Sequence, residues 1–251
     1  ITSAGVLTFV SAPDYESKNS YSATVAASDG SNSTTQDITV NITDVNEAPV
    51  FSPTRFTINE NLSSLDVSSS VFDEDGDTIT YSLGGGDGGL FNISSAGVLT
   101  LKTGQDFDYE LRSSYSFQIG ICDGTNSQFS MISIEVNNLN DNSPAFISSS
   151  TFSADENQTA IGTVTATDAD GDGITYSISS SDITINSSSG VIAFVSAPDY
   201  ETKAVYSATV TASDGTNSTT QDLELLVNDN CDVDIWLENE ISSKDESIYQ
   251  A

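Results

Sequence analysis

Apolar and polar residues alternate along most of the chain, and this alternation predicts the secondary structure. Segments 38–42, 132–136 and 174–178 place an apolar side chain at every second position and are rich in β-branched residues. A period of two is typical of strands that are buried on one face. Turn-forming clusters such as Ser28–Asn32 separate such segments, and no stretch has the 3.6 period of an amphipathic helix. The pattern therefore predicts an all-β chain of short strands, which favours antiparallel sandwiches.

Two short motifs recur along the chain with constant internal spacing. An Asp-Tyr-Glu signature begins at Asp14, Asp108 and Asp199, and an Asp-Gly signature follows each of them 15 residues later, at Asp29, Asp123 and Asp214. Three copies with one spacing indicate tandem repeats of about 90 residues. We predict the second half of a repeat at 1–46, complete repeats at 47–141 and 142–229, and a tail or the start of a further repeat at 230–251.

The opening half-repeat is not a complete sandwich by itself. Half a sandwich leaves its core face and strand edges uncovered. We therefore expect residues 1–46 to be completed either by another chain or by a neighbouring part of a longer polypeptide.

The charge of the chain limits its chemistry. Thirty-seven acidic residues face six basic ones, and the formal net charge is −31. Nucleic acid is excluded as a partner because phosphate binding needs clustered Lys and Arg. No apolar run approaches the roughly 20 residues of a membrane span, so no membrane insertion is expected. His is absent, which removes the commonest general base and transition-metal ligand.

The acidic residues gather in the predicted linkers and in two turns, Asp73–Asp77 and Asp168–Asp172, where Asp alternates with other residues around a Gly. Calcium takes six to eight oxygens from carboxylates, carbonyls and amides, and these segments supply all three. An EF-hand is excluded because the twelfth position is Gly84 or Ser179 instead of Glu. The nonapeptide calcium repeat is excluded because the Gly-rich stretch 84–89 is a single patch.

Taken in order, the linkers, the Asp-Tyr-Glu signature, the acidic turns and the Asp-Gly signature resemble the cadherin repeat family. The resemblance covers the chain to about Asn230, and the first linker is most similar to the cadherin-like repeats of large bacterial surface proteins. It implies tandem Greek-key, immunoglobulin-like β-sandwiches arranged as a rod, with Ca²⁺ bound at the junctions between repeats.

The resemblance also implies which residues bind calcium at each junction. The first junction would use Asp14, Glu16, Asn46, Glu47, Asp73, Asp75 and Asp123. The second would use Glu60, Asp108, Glu110, Asn140, Asp141, Asn142, Asp168, Asp170 and Asp214. The third would use Glu156, Asp199, Glu201, Asn228 and Asp229, with no acidic turn to complete it. Asp77 and Asp172 are either outer ligands or ordinary turn residues.

These features predict a calcium-rigidified stalk, adhesive array or filament that is extracellular or at the cell surface and catalyses no reaction. Its expected partners are other copies of itself or neighbouring repeats, with a cell-surface protein or a glycan as further candidates. The alternative is a carbohydrate-binding or spacer module of a larger secreted enzyme, which exposed aromatic platforms would favour. A glycosidase pair at Asp106 and Asp108 is disfavoured because both acids fall in or beside the metal signature.

Cysteines and sequons leave further alternatives open. In a straight rod Cys122 and Cys231 are about two repeats apart, so a disulfide within one chain is excluded by reach. Cys122 is then either a buried free thiol or part of a disulfide between staggered chains. Candidate glycosylation sequons begin at Asn32, Asn41, Asn61, Asn92, Asn157, Asn186 and Asn217.

Overall fold

The computed structural model describes residues 1–230, whose regular secondary structure is almost entirely β-strand. It divides into two compact units, Ile1–Asn138 and Leu139–Ala251, of which the second is described to residue 230. In the part of the chain that the structure describes, no helix has the length and apolar character needed to cross a bilayer.

The first unit opens with a two-stranded hairpin. Strands β1 (Ser20–Ser28) and β2 (Ser33–Asn41) pair antiparallel without a break in register. The turn between them is closed by Asp29, whose Oδ1 accepts hydrogen bonds from the backbone N–H groups of Ser31 at 2.8 Å and Asn32 at 2.7 Å. An acidic residue that bonds its own backbone is a common way to fix a tight turn.

A complete sandwich follows in the same unit. Its strands are β3 (Val50–Phe51), β4 (Arg55–Asn59), β5 (Ser64–Asp66), β6 (Val71–Phe72), β7 (Thr80–Gly84), β8 (Phe91–Ile93), β9 (Val98–Leu101), β10 (Ser114–Cys122) and β11 (Ser127–Asn137). One sheet has the order β4-β11-β10-β7, the other has the order β5-β9-β8, and β3 pairs with β6. Short 3-10 helices lie at Ser68–Ser70 and Gly86–Leu90.

The second unit repeats this arrangement strand for strand. Its strands are β12 (Ala145–Phe146), β13 (Thr151–Asp155), β14 (Ala160–Thr163), β15 (Ala166–Thr167), β16 (Thr175–Ser179), β17 (Ile183–Ile185), β18 (Val191–Phe194), β19 (Val205–Ser213) and β20 (Ser218–Asn228). The sheets are β13-β20-β19-β16 and β14-β18-β17, with β12 paired to β15. In each sandwich the first strand of the larger sheet runs parallel to the last strand. The predicted all-β fold of immunoglobulin-like sandwiches is confirmed.

The alternation read from the sequence decides which side chains form the cores. The buried side chains of β10 are Tyr115, Phe117, Ile119 and Ile121, and the residues between them lie on the outer face, where Gly120 alone is also buried. Burying one side chain of this size contributes about 1.5–3 kcal/mol. The cores of the two sandwiches therefore hold the paired sheets together.

The β1–β2 hairpin faces no second sheet within residues 1–230. From Phe9 to Asp37, 24 of 29 positions are identical to those from Phe194 to Asp222. Phe194 is 4% exposed in its complete sandwich, whereas Phe9 is 43% exposed. The hairpin thus has the sequence of a core-forming element, but no layer of the described residues buries it.

Candidate metal centres

The linker at residues 43–49 joins the hairpin to the first sandwich, and carboxylates from both sides converge on it. Oxygens of Glu16, Asp44 and Asp75 lie within 4.8 Å of one another. A second group at the same separation contains Asp14, Glu16 and Glu74. Acids from the Asp-Tyr-Glu signature, the linker and the acidic turn therefore meet, although these segments are up to about 60 residues apart in sequence.

The acidic turn after β6 forms a third group, in which oxygens of Asp73, Asp75 and Asp77 lie within 4.8 Å of one another. The Asp77 N–H donates to Asp73 Oδ1 at 2.9 Å and closes the turn. Gly76 has a φ of 76°, a left-handed conformation that costs glycine little. The Glu47 N–H donates to Asp75 Oδ2 at 2.9 Å, so the turn is bonded directly to the linker.

Asp123 connects the Asp-Gly turn of the sandwich to the same linker. Its Oδ1 accepts the backbone N–H groups of Thr125 and Asn126, each at 2.6 Å, and its Oδ2 accepts Asn46 Nδ2 at 2.9 Å. Asn126 Nδ2 also donates to the backbone oxygen of Asn46 at 3.1 Å. These bonds fix the linker backbone against the sandwich.

The convergence of acids changes their proton affinities. Desolvation raises the pKa of Glu16, Glu47 and Asp77, and repulsion from neighbouring carboxylates raises each of them further. Desolvation also acts on Asp123, but hydrogen bonds from Asn126, Thr125 and Asn46 outweigh it and lower the pKa of that carboxyl. A nearby cation would relieve the repulsion.

The residues assigned to the second junction belong to two different units, so each part is described by itself. In the first sandwich, Glu60 follows β4 and is only 2% exposed. Its Oε2 accepts the Tyr109 N–H at 2.8 Å, and Asp108 Oδ1 accepts the Leu111 N–H at 2.8 Å. Glu60 is thereby bonded to the Asp-Tyr-Glu turn that carries Asp108 and Glu110.

In the second unit, Asp170 organises the start of the sandwich. Its Oδ2 accepts the N–H groups of Asn142 at 2.9 Å and Asp141 at 3.2 Å, and its Oδ1 accepts Asn142 Nδ2 at 2.8 Å. The Asp172 N–H donates to Asp168 Oδ1 at 3.2 Å. This turn bonds to its own linker through backbone N–H groups, as the acidic turn of the first sandwich does.

Asp214 closes its Asp-Gly turn as Asp123 does, but the bond from this turn to Asn140 of the linker comes from Asn217. Asp214 Oδ1 accepts the N–H groups of Thr216 at 2.7 Å and Asn217 at 2.6 Å. Asn217 Nδ2 donates to Asn140 Oδ1 at 2.8 Å. Desolvation acts to raise the pKa of Asp214, but the hydrogen bonds that it accepts from Asn217 and Thr216 outweigh this effect and lower that pKa.

The third set lies where β13 and β20 end. Glu156 is 2% exposed, and its Oε2 and Oε1 accept the N–H groups of Tyr200 at 3.0 Å and Asn230 at 2.8 Å. Oxygens of Glu156, Asp199 and Glu201 lie within 4.8 Å of one another. These three predicted ligands are therefore already close together.

The other two residues of the third set are placed differently. Asn228 Nδ2 donates to Asp155 Oδ1 at 3.0 Å, so its amide nitrogen is engaged with the neighbouring strand. Asp229 lies near enough to raise the pKa of Glu201. The backbone N–H of Glu201 itself lowers that pKa, but desolvation and the charges of Glu156 and Asp229 outweigh it.

Three buried carboxylate oxygens accept no hydrogen bond from any described residue: Asp73 Oδ2, Asp168 Oδ2 and Asp214 Oδ2. In each of these residues the other oxygen is bonded within its own turn. Leaving a buried charged oxygen unpaired is costly. All three are predicted ligands, and the donors around them are oxygens, which fits a hard divalent cation such as Ca²⁺. Two buried amide oxygens, of Gln128 and Gln221, also accept no hydrogen bond from a described residue.

Several neighbours of the predicted ligands were missed from the sequence. Asp44 and Glu74 join the carboxylates at the first linker. Asn126 and Asn217 hold the linkers. The available signals were the position of Asp44 at the start of a linker and the Asn that lies three residues after the Asp of every Asp-Gly signature.

Cys122 is a half-buried free thiol whose Sγ accepts the Gly124 N–H at 3.3 Å. Cys231 lies outside the described residues, as does the rest of the predicted tail, so the disulfide between chains stays a prediction. Among the sequons, Asn217 is the least suited to carry a glycan because its Nδ2 already bonds Asn140.

Comparison with known proteins places both sandwiches among related domains. Residues 150–228 match the cadherin domain family, and residues 46–135 match the bacterial Ig domain family. The chain is 31% identical over 253 residues to Cadherin EGF LAG seven-pass G-type receptor 1 of Mus musculus, covering 90% of this chain and 8% of that protein. It is 36% identical over 149 residues to Protocadherin Fat 4 of Homo sapiens, covering 53% of this chain and 3% of that protein. The chain thus spans less than a tenth of the length of these relatives.

Solved structures agree on the fold. Human Protocadherin-24 EC1-2 superposes with a TM-score of 0.60 at 22% identity, covering 74% of this chain and 99% of that one. Mouse Cadherin-23 EC22-24 superposes with a TM-score of 0.57 at 24% identity, covering 86% and 77%. Repeats with this strand order, these signatures and these relatives make the chain a member of the cadherin-like repeat family.

Proposed function

We propose that this chain is an extracellular stretch of adhesive repeats whose linkers are stiffened by calcium. The observation that carries the proposal is the pattern at Asp73, Asp168 and Asp214, each of which keeps one buried oxygen without a hydrogen bond. The cadherins and protocadherins similar to this chain include a seven-pass receptor, which supports a place at the cell surface. The repeats would act by contact and not by catalysis.

At the first linker, the residues that would hold calcium are Asp14, Glu16, Asn46, Glu47, Asp73, Asp75 and Asp123. The ion, when bound, supplies the positive charge that permits these acids to lie together. The chain's own contribution is to bring ligands from three segments to one place through the Glu47–Asp75 and Asn46–Asp123 hydrogen bonds. Shared ligands restrict rotation about the linker, and repulsion among unneutralised acids loosens it.

The second and third sets remain predictions on the same principle. The second combines Glu60, Asp108 and Glu110 with Asn140, Asp141, Asn142, Asp168, Asp170 and Asp214. The third combines Glu156, Asp199, Glu201, Asn228 and Asp229. Each set draws on acids that precede a linker, lie in it or follow it, so each would stiffen its linker in the same way.

Thermal unfolding with EDTA and with excess Ca²⁺ tests the proposal. Ligand at 100 times its Kd stabilises the folded state by about 2.7 kcal/mol per site, so calcium should raise the Tm by several degrees. Asp73→Asn should remove part of the gain, and the control Asp37→Asn, on the exposed face of β2, should retain it. An identical Tm in EDTA and in Ca²⁺ would contradict the proposal.

We further propose that the partners are other copies of the chain or neighbouring repeats. A structure similar to this chain is a protocadherin gammaB7 EC3-6 cis-dimer, which supports contact between copies. Analytical ultracentrifugation with and without Ca²⁺ tests this, and a monomer at all concentrations in Ca²⁺ would leave neighbouring repeats as the partner.

A further inference from the structure

The outer face of the four-stranded sheet in the first complete sandwich carries two large apolar side chains in the open. Phe129 is 61% exposed and Met131 is 58% exposed. Both belong to β11 and, being two residues apart in a strand, point to the same side. They lie opposite the buried face formed by Ile132 and Ile134.

The equivalent face is polar in the other two repeats. The positions of Phe129 and Met131 are taken by Thr35 and Asp37 in the hairpin and by Thr220 and Asp222 in the second sandwich. Each of those aspartates accepts a hydrogen bond from a threonine on the neighbouring strand, Thr24 to Asp37 at 2.6 Å and Thr209 to Asp222 at 2.7 Å. The first complete sandwich replaces this polar pair and removes its carboxylate.

Most of the outward-facing residues beside Phe129 on the neighbouring strands have small side chains or none. Across the sheet, one row contains Ser82, Gly120 and Phe129, and the next contains Gly84, Gln118 and Met131. A Cβ on Gly120 would lie 2.7 Å from the Phe129 ring, so the ring lies across this glycine. Strand β4 pairs with β11 only from Ser133 onward, so the β4 ladder does not extend beside Phe129 and Met131.

Sheet stability alone explains only part of this arrangement. An aromatic ring that covers a cross-strand glycine stabilises an antiparallel sheet, and this accounts for Phe129 over Gly120. It does not account for Met131 in place of an aspartate, or for the exposure of both side chains. An exposed apolar patch ringed by polar groups is typical of a binding surface.

We propose that the platform formed by Ser82, Gly84, Gln118, Gly120, Phe129 and Met131 binds a neutral carbohydrate. One face of a sugar ring presents C–H groups that pack on an aromatic ring, and its hydroxyl groups need hydrogen-bonding partners at the rim. Phe129 supplies the ring, the Ser82 hydroxyl lies in the same row, and the Gln118 amide lies in the next row. The missing carboxylate leaves this part of an acidic surface without a charge of its own, which favours a neutral ligand over a cationic one.

The size and the charge of the surface disfavour a second copy as the occupant. A standard protein interface buries about 800 Å² on each partner, far more than one phenylalanine and one methionine provide. Two copies with a formal net charge of −31 each also repel one another unless cations offset that charge, and the platform has no carboxylate to bind a cation. A neutral oligosaccharide meets neither obstacle.

The chain offers a direct reporter for this platform because Met131 is its single methionine. Chain labelled with [methyl-13C]methionine gives one methyl signal, to be followed by NMR while cellohexaose, xylohexaose or chitohexaose is added. We expect a saturable shift with at least one of these neutral probes. Phe129→Thr, which installs the residue of the other two repeats, should weaken binding about tenfold, and the matched control Thr220→Ala should not.

Each other outcome overturns the proposal. No shift with any of the three neutral probes at millimolar concentration would exclude a carbohydrate platform. A shift on concentrating the protein alone would identify a contact between copies, and equal binding of polygalacturonate would exclude selection for neutral sugars. A full response in Phe129→Thr would place the ligand elsewhere. Because the platform lies within one sandwich, the result should be the same in EDTA, which separates this test from that of calcium.

Discussion

At the scale of the residue, the buried acids fall into two kinds. Glu156, a predicted ligand of the third set, has a hydrogen bond on each carboxylate oxygen, from Tyr200 and Asn230. Asp73, Asp168 and Asp214 have one oxygen bonded within a turn and the other without a partner among the described residues. Under the proposed function, an acid of the second kind would bind calcium through that oxygen without losing a hydrogen bond.

Substitution of an acid of the second kind should therefore weaken calcium binding and change the stability of the metal-free protein little. Asp214→Asn should lower calcium affinity about tenfold or more, since a ligand charge is lost, and should change the Tm in EDTA little. Isothermal titration with Ca²⁺ measures the first effect and a thermal melt the second. Asp222→Asn, on the outer face of β20, is the control, and an unchanged calcium titration for Asp214→Asn would remove this residue from the site.

In each repeat, a basic side chain just after the Asp-Tyr-Glu signature lies over the ring of a strand tyrosine. The pairs are Lys18 and Tyr21, Arg112 and Tyr115, and Lys203 and Tyr206. The ammonium of Lys203 lies 4.0 Å from the ring centroid of Tyr206 and 3.1 Å from Asp182 Oδ2. An exposed cation–π contact is worth about 0.5–1 kcal/mol and an exposed ion pair less. Lys203→Gln should therefore cost about 1 kcal/mol in urea unfolding, whereas Lys102→Gln, the control, should cost almost nothing. Equal losses would show that the tyrosine contact contributes no stability.

At the scale of the element, the two nearly identical hairpins differ in burial. Val210 in β19 is fully buried, whereas its counterpart Val25 in β1 is only half-buried. Val210→Ala should cost about 2–3 kcal/mol through lost burial and a cavity. Val25→Ala should cost less than about 1 kcal/mol. Urea unfolding of both variants checks this, and equal costs would indicate that the face of the first hairpin is covered in solution.

The acidic linker makes the metal-free protein sensitive to pH. The pKa values of Glu16 and Glu47 are raised above 4.5, so their folded forms bind protons more tightly than the unfolded chain, and stability is lost as pH rises through them. The pKa values of Asp14 and Asp123 are lowered below 3.8, so their contribution is lost as pH falls through those values.

In EDTA, the Tm should therefore rise as pH falls from about 7 to about 5 and decline below about 3.8. In excess calcium the first trend should reverse, because protons compete with the ion for carboxylates. A Tm in EDTA that falls steadily from neutral pH would contradict the raised pKa values of Glu16 and Glu47.

At the scale of the whole molecule, the formal net charge of −31 opposes the compact state through self-repulsion. Salt screens such repulsion, and the Debye length falls from about 30 Å at 0.01 M to about 8 Å at 0.15 M. Sodium chloride should therefore raise the Tm in EDTA over this range. The gain should be smaller in Ca²⁺, where the linker acids are neutralised, and an equal gain in both would separate the salt effect from the linkers.

Much of the fold follows from the sequence because it depends on local pattern. Alternation over 132–136 predicted a strand buried on one face, and Ile132 and Ile134 are buried; the constant distance between signatures indicated repeats of one kind. The resemblance to cadherin repeats likewise implied that Glu156, Asp199 and Glu201 belong to one set, and their oxygens lie within 4.8 Å of one another.

Tertiary structure decided what local pattern cannot encode. Asp44 and Glu74 join the first cluster because the linker folds back toward the acidic turn, and which oxygen of Asp73 keeps no partner depends on how the turn closes. Phe9 and Phe194 are followed by nearly the same residues in the chain. Only Phe194 is buried, because burial requires an opposing sheet. The sequence by itself determined the strands, the repeats and the candidate ligands. Packing across the strands determined which side chains are buried, which acids are left unpaired and where Phe129 lies open to solvent.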